Sequence, residues 1–387
     1  MTTPSRKLVK SLAALLFLAT AYTAAPLPAA ALDSGALATR FVELDIKVSG
    51  KPATPEALAK LSYFSPSSQA AKKLTDADLA MIAGLPKLTA IELRGAEQIT
   101  TAGVKALTAM PNLTRLGLIM MPVDDKAVAA IGTMKQLQTL NLGSAKGLTS
   151  AAAPIIAALP NLQVLGISRL PFTDADLAAF ANHPALRNID AASLAKVSDA
   201  GIAHFGTIPT LEQLQLSFTP ITGTCFSALA KAPKLNYLSA MSTKLTDATA
   251  GDIGKLTAME QLFIWNNDIG DPTVEKLASM EKLSILYLNK TKLTDKGLVA
   301  LANMPALKTL WVAETAITDA GVKALVLPKL YWLYAEQTAL TDAILDDLVM
   351  RPELGILSLR KTQVTKDAAD AALAKRPADL RKLKISM

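Results

Sequence analysis

Residues Leu283 to Ala306 read LSILYLNKTKLTDKGLVALANMPA, and variants of this stretch recur thirteen times along the 387-residue chain. Leu283, Leu286 and Leu288 give L-x-x-L-x-L, the spacing of a short strand with one buried face. Thr291 follows, then Leu293-Thr294-Asp295, then Leu298 and Leu301 at helical spacing, then Met304-Pro305. The copies open at Leu88, Leu113, Leu137, Leu162, Leu186, Leu211, Leu235, Met259, Leu283, Leu307, Leu330, Leu354 and Leu380, 23 to 26 residues apart. A period of this length predicts a solenoid: one α/β body of about thirteen stacked units rather than several domains. No unit has room for the inserted loop or domain that an enzyme site grafted onto a solenoid would bring.

Each part of the unit has a physical task. The strand leucines point into a shared core, and the strands stack into one parallel sheet. Thr-Asp or Ser-Asp precedes the helix at Thr173-Asp174, Ser198-Asp199, Thr246-Asp247, Thr294-Asp295, Thr318-Asp319 and Thr341-Asp342. These side chains are expected to accept from the free N–H groups of the first helical turn. A proline such as Pro305 ends the helix two residues before the opening residue in nine of the thirteen units. The ninth position holds Thr219, Thr243, Asn267, Thr291, Thr315, Thr338 and Thr362 in units six to twelve, which predicts a buried polar ladder. Units one to five have Ala96, Met121, Ala145, Leu170 and Leu194 there, so the ladder is not continuous in the first half.

The front of the chain differs. Residues 1–31 read as an export signal: Arg6, Lys7 and Lys10, then the apolar run Ser11 to Tyr22, then Ala29-Ala30-Ala31. Pro26 and Pro28 argue against an uncleaved anchor. Residues 32–73 fall outside the repeat and read as an N-terminal cap over the first core layer. Within them, Phe41 to Val48 alternates as a half-buried strand, Ser49 to Pro52 is a turn, Thr54 caps a helix running to Leu61, and Ser65 to Ser68 is a loop. The array fills residues 74–387, and its last strand, Leu380 to Ile385, has no covering segment. The formal charge is +7, and losing the three basic residues of the leader, which has no acid, leaves +4. That is too mild for nucleic-acid binding. The single Cys225 excludes an internal disulfide, so the reading is a bacterial protein, periplasmic, secreted or in the cell envelope, with no stable membrane insertion after cleavage.

The composite L-x-x-L-x-L-x-x-T-x-[LI]-T-D-x-G-L-x-x-L resembles leucine-rich repeat proteins, nearest to their cysteine-containing subclass, with Thr where that subclass has Cys. The resemblance covers residues 74–387. It implies a right-handed βα horseshoe or arc with the sheet on the concave face and helices on the convex face. It also implies a recognition surface; the subclass includes substrate receptors of eukaryotic ubiquitin ligases. An F-box segment is not recognisable, so that role is not carried over.

Catalytic chemistry finds little to use. His183 and His204 have no matching carboxylate or cysteine spacing for zinc and read as surface or capping residues. Cys225 falls where other units have Gly103, Gly201, Gly297 and Gly321, a slot for a small residue. The reading is a non-enzyme with no cofactor and no metal. The concave face is more informative. Its third, fifth and seventh positions carry no aromatic residue in units one to six. In units seven to eleven they read Tyr237, Ser239, Met241; Gln261, Phe263, Trp265; Ile285, Tyr287, Asn289; Thr309, Trp311, Ala313; Trp332, Tyr334, Glu336. All three Trp residues of the protein are among them. Strand propensity would place aromatics in every unit, so the cluster is read as a site for a protein or peptide partner. Phe263, Trp265, Tyr287, Trp311, Trp332 and Tyr334 would be the anchors, Gln261, Asn289 and Glu336 the polar contacts, and Tyr237 a further partner-binding residue. A polysaccharide stacked on the rings, and a ligand-free spacer stiffened by them, are the alternatives.

Overall fold

The computed structural model describes residues 33–387; the expected signal peptide lies outside them. Helix α1 (Ser34–Glu43) is capped by Asp33, whose carboxylate accepts from Ala36 N–H. It is followed by the hairpin β1 (Lys47–Val48) and β2 (Lys51–Pro52), helix α2 (Pro55–Leu58), β3 (Tyr63–Phe64), α3 (Ser68–Ala71), α4 (Asp76–Ile82) and β4 (Ala90–Arg94). Strands β5 to β16 are, in order, Arg115–Ile119, Thr139–Asn141, Val164–Gly166, Asn188–Asp190, Gln213–Gln215, Tyr237–Ser239, Gln261–Phe263, Ile285–Tyr287, Thr309–Trp311, Trp332–Tyr334, Ile356–Ser358 and Lys384–Ser386. β3 to β16 form a single fourteen-stranded sheet in chain order, parallel throughout. α-Helices or 3-10 turns connect the strands, so the chain is an α/β solenoid of about thirteen units. The core is continuous from Leu37 to Leu383 between sheet and helices.

Residues 41–48 correct the sequence reading. Phe41 belongs to α1, whose buried face is Leu37, Ala38 and Phe41, a helical spacing. Val42, expected inside, is exposed. Only Lys47–Val48 is strand, and Ser49 and Gly50, both at positive φ, make its hairpin turn. Thr54 caps α2 as expected, but the helix stops at Leu58. The stretch Ser65 to Ser68 is not all loop, since Ser67 caps α3. The segment also supplies β3 to the sheet, where Phe64 stacks on Phe41 at 5.2 Å. Arg40 ties α1 to α4: its guanidinium donates to Asp78 at 2.9 Å and to the Lys73 carbonyl.

In units one to twelve each strand starts two residues after the opening Leu or Met. The last strand starts four residues after Leu380. Ile385 takes the core register of Leu357, and Leu380 is left half-buried. The cause is Arg376, whose guanidinium donates to the carbonyls of Val349, Arg351, Leu354 and Arg381. The backbone bends around it before pairing begins.

Two columns lock unit to unit. The first is an Asp at the helix start, which reaches forward instead of capping its own helix. It is usually the second residue of a Thr-Asp or Ser-Asp pair, though Asp124 precedes Asp125 and Gly270 precedes Asp271. Asp295 accepts from the Thr318 N–H at 2.7 Å and the Thr318 hydroxyl at 2.6 Å. Asp76, Asp125, Asp174, Asp271, Asp319 and Asp342 hold the next Thr or Ser in the same way. Thr and Ser make the caps, as at Thr318 to Ala320 N–H. The second column is the eighth position, left-handed in every unit from one to twelve: Gly95, then eleven non-glycine residues from Met120 to Lys361 with φ of 51–63°. Their N–H groups point at the next unit, as in Lys290 to Ala313 carbonyl at 3.0 Å. That bond holds a conformation that costs a non-glycine residue about 1 kcal/mol.

The ninth position is less of a ladder than expected. Thr291, Thr315, Thr338 and Thr362 each donate to the carbonyl three residues back. Side-chain bonds between units occur at Thr243 with Asn267 and at Thr219, which bridges to Ala191 and Leu194.

Candidate functional site

Parallel pairing without slip brings the aromatic residues into columns. Phe263, Tyr287, Trp311 and Tyr334 are register partners on β11 to β14. Tyr237 and Trp332 share the neighbouring column with Gln261, Ile285 and Thr309. Strand spacing of about 4.8 Å is close to the separation of stacked rings, so a column of rings must touch.

Six rings form one continuous rib. Tyr237 lies 5.2 Å from Phe263, and Phe263 meets Tyr287 edge-on at 4.7 Å. Tyr287 and Trp311 are stacked at 4.2 Å with 7° between planes. Trp311 stacks on Tyr334 at 4.2 Å, and Trp332 closes the end against both. Each ring is half-buried, covered by its neighbours and open to the concavity. The Nε1 atoms of Trp311 and Trp332 are buried and lack a hydrogen-bond partner. Burial raises the pKa of Tyr237 and of Tyr287, so both stay neutral hydroxyls. Trp265 stands apart from the rib, two residues beyond the end of β11 and half-buried.

The polar residues are more committed than their positions suggest. Asn289 accepts from the Ala313 N–H at 3.0 Å, and Glu336 accepts from the Ser358 hydroxyl. Gln261 is half-buried in the Tyr237 column. Sequence reading missed Tyr63. It pairs with Ala90 in the third-position column and is 51% exposed at the N-terminal edge of the sheet. Two residues of strand carry no alternation by which to find it.

The residues considered for chemistry are structural. His183 is buried, not on the surface. Its Nδ1 accepts from the N–H groups of Ala185 and Leu186, so Nε2 carries the proton to the Leu159 carbonyl. Burial depresses its pKa. Cys225 is buried, and burial pushes its thiol up, helped by the Asp199 carboxylate. Its N–H donates to Asp199, and it precedes its helix, Phe226–Leu229, instead of lying inside it as Gly103 does. Among the described residues, groups of three or more His, Cys, Asp or Glu placed to hold a metal are absent. No helix there is long and apolar enough to cross a membrane.

A family model described as leucine-rich repeat matches residues 279–302. No curated protein matches by sequence. Among solved structures, an internalin from Listeria monocytogenes is similar with a TM-score of 0.62 at 21% identity, over 90% of this chain and 94% of its own. A leucine-rich repeat protein from Leptospira interrogans gives 0.55 at 16%, over 85% and 94%. A chain from the yeast complex of Rad7 and Elc1 gives 0.53 at 18%, over 91% and 92%. The matched residues are one unit of the array, and the other units repeat its strand, turn and helix in a single parallel sheet. The fold of the chain is a leucine-rich repeat solenoid.

Proposed function

We propose that the chain is an exported, non-enzymatic recognition module, periplasmic, secreted or in a bacterial cell envelope. It takes a protein or peptide partner on the concave face of units seven to eleven. Leucine-rich repeat arrays are recognition surfaces, and this reading says which part of the surface works. The observation that carries it is the rib: six aromatic rings in contact, half-exposed on the concave face, confined to five successive units. Contiguous exposed apolar surface marks partner sites, and Trp and Tyr dominate their energetics. Ring stacking also favours protein over polysaccharide. A sugar needs a free ring face, whereas the faces of Tyr287, Trp311 and Tyr334 are turned to one another. What remains open is ring edge, which suits side chains and backbone of a protein.

The test is affinity capture from the envelope of the native organism. The baits are wild type, a Tyr287→Phe, Tyr334→Phe variant that keeps the stack, a Trp311→Ala variant, and Arg94→Ala on the opposite half of the same face. One discrete protein retained by wild type and Arg94→Ala, and lost by Trp311→Ala, supports the proposal. Equal retention by all four removes it, and retention of glycan alone replaces it with the polysaccharide reading. All three Trp residues lie on this patch, so a purified partner should also shift tryptophan emission.

A further inference from the structure

A deep cleft lies at the other end of the molecule. It has a volume of about 750 Å³ and lies between the β1–β2 hairpin, α2 and β3. Its walls include Lys47, Lys51, Lys60, Glu56 and Tyr63, and no residue of β4. It therefore runs along the side of β3 that faces away from the sheet.

Among the described residues, the backbone on that side has no strand partner. Ala90 N–H donates to the Ser62 carbonyl, and Tyr63 is the register partner of Ala90. In a parallel ladder this arrangement turns the N–H and C=O of Tyr63 away from β4 and into the cleft. The hairpin does not pair with β3; it forms its own two-stranded sheet. Phe64 is anchored on Phe41, so the edge is held rigid. Charge around the cleft is mainly basic. Lys47, Lys51 and Lys60 are exposed on its walls with one lining acid, Glu56, and Asp45 lies 4.0 Å from the Lys47 ammonium.

We propose that this cleft binds an extended acidic peptide, which adds to the free edge of β3 as a short extra strand. The Tyr63 backbone would supply the pair of strand bonds, the Tyr63 ring an apolar contact, and the three lysines the recognition of carboxylates. The site is independent of the aromatic rib.

The probe is a fluorescein-labelled pentapeptide of alternating Glu and Val, titrated by anisotropy into the purified protein. Controls are the Lys-Val counterpart and the Glu-Val peptide with its central nitrogen methylated. The acidic peptide should bind, and the lysine peptide should not. The Lys47→Glu, Lys51→Glu, Lys60→Glu variant, whose three sites are exposed, should keep the wild-type melting curve and weaken binding about tenfold or more. Methylation should weaken binding comparably, and amide exchange should slow at Ser62 to Ser65. Absence of binding overturns the proposal. Binding that ignores methylation overturns strand addition and leaves only a charged patch. Self-association that the lysine variant abolishes would put a second copy in the cleft instead.

Discussion

Replacing Gly321 by Ala sets two physical rules against each other. The residue lies inside the helix Asp319–Ala324, where propensity alone says Ala should stabilise by about 1 kcal/mol. The stack predicts the opposite. A Cβ at Gly321 would lie 2.2 Å from Asp295 Oδ1, 2.7 Å from its Cγ and 2.9 Å from its Cα. The carboxylate must swing away and release both bonds to Thr318. Two hydrogen bonds to a carboxylate are together worth about 3 kcal/mol. Less the propensity gain, the variant should be destabilised by about 2 kcal/mol. Ala368, in the same slot of unit twelve, illustrates the alternative geometry. There Thr365 caps the third helical N–H, whereas Thr318 caps the second. The assay is urea unfolding followed by tryptophan emission, because Trp311 and Trp332 flank the site in units ten and eleven. In an Asp295→Ala background the carboxylate clash is gone and only the 2.9 Å approach to the Cα of residue 295 remains, so the same Gly321→Ala change should cost clearly less than in the wild-type background. An equal or larger cost in the Asp295→Ala background would refute the reasoning, as would a more stable single variant.

Other consequences are directly measurable. His183 is held neutral, so its folded pKa lies below the ordinary 6.5. Its contribution is full above that value and declines as pH falls towards the folded pKa, because the unfolded chain then binds the extra proton. Melting temperature should therefore drop between pH 7.5 and 5, and less so in His183→Gln. Arg40→Ala strips the guanidinium from the buried Asp78. Burial raises that carboxyl's pKa, but bonds from Arg40 and Thr75 outweigh it and hold the net value low. A loss of about 3 kcal/mol is expected, with faster amide exchange across Ser34 to Leu58. Cys225 should resist a thiol reagent until the array unfolds, and prompt labelling of the native protein would contradict its burial. Lys290→Gly at φ 54° should gain up to about 1 kcal/mol by the same denaturation assay.

What was legible in the sequence followed from period, and what was not depended on contacts between units. The leucines of units one to twelve set strand position because a slip of one residue would turn the core outwards. Where another interaction competes, the period misleads. Arg376 delays the last strand, and α1 overrides the alternation at Phe41 and Val42, while Leu44, Ile46 and Val48 stay buried as it predicts. The left-handed eighth position left no sequence trace, since Met120, Arg169, Phe218 and Glu314 share no chemistry. Its cause is a backbone bond to the neighbouring unit. Asp295 was visible, yet its partner was misjudged: the Thr-Asp pair looks like one cap, but the two side chains serve different units. On the concave face the ring positions were legible, while the commitment of Asn289 and Glu336 to neighbouring units was not.

These contacts also bear on what the rings are for. The stack is held by inward leucines, by eighth-position N–H groups and by Asp side chains beside the helices. Third-, fifth- and seventh-position side chains add to this only locally and through polar residues, as where Asn289 accepts from the Ala313 N–H and Glu336 from the Ser358 hydroxyl. Units two to five pair in the same parallel register with Gly117, Asn141, Gly166 and Asp190 in the column that later holds Phe263, Tyr287 and Trp311. Folding therefore tolerates almost any residue there, and packing of the sheet does not demand five units of rings. A feature the fold does not require, confined to one region of an otherwise polar face, points to selection by something outside the chain. Exchanging Phe263, Tyr287 and Trp311 for Gln, Asn and Gln, in the manner of the early units, tests this directly. The solenoid should persist by circular dichroism, with a lower midpoint as stacking is lost at about 1 kcal/mol per ring pair, while partner capture disappears. A variant that fails to fold would make the rib a structural spine, and the recognition site would have to be sought elsewhere on the array.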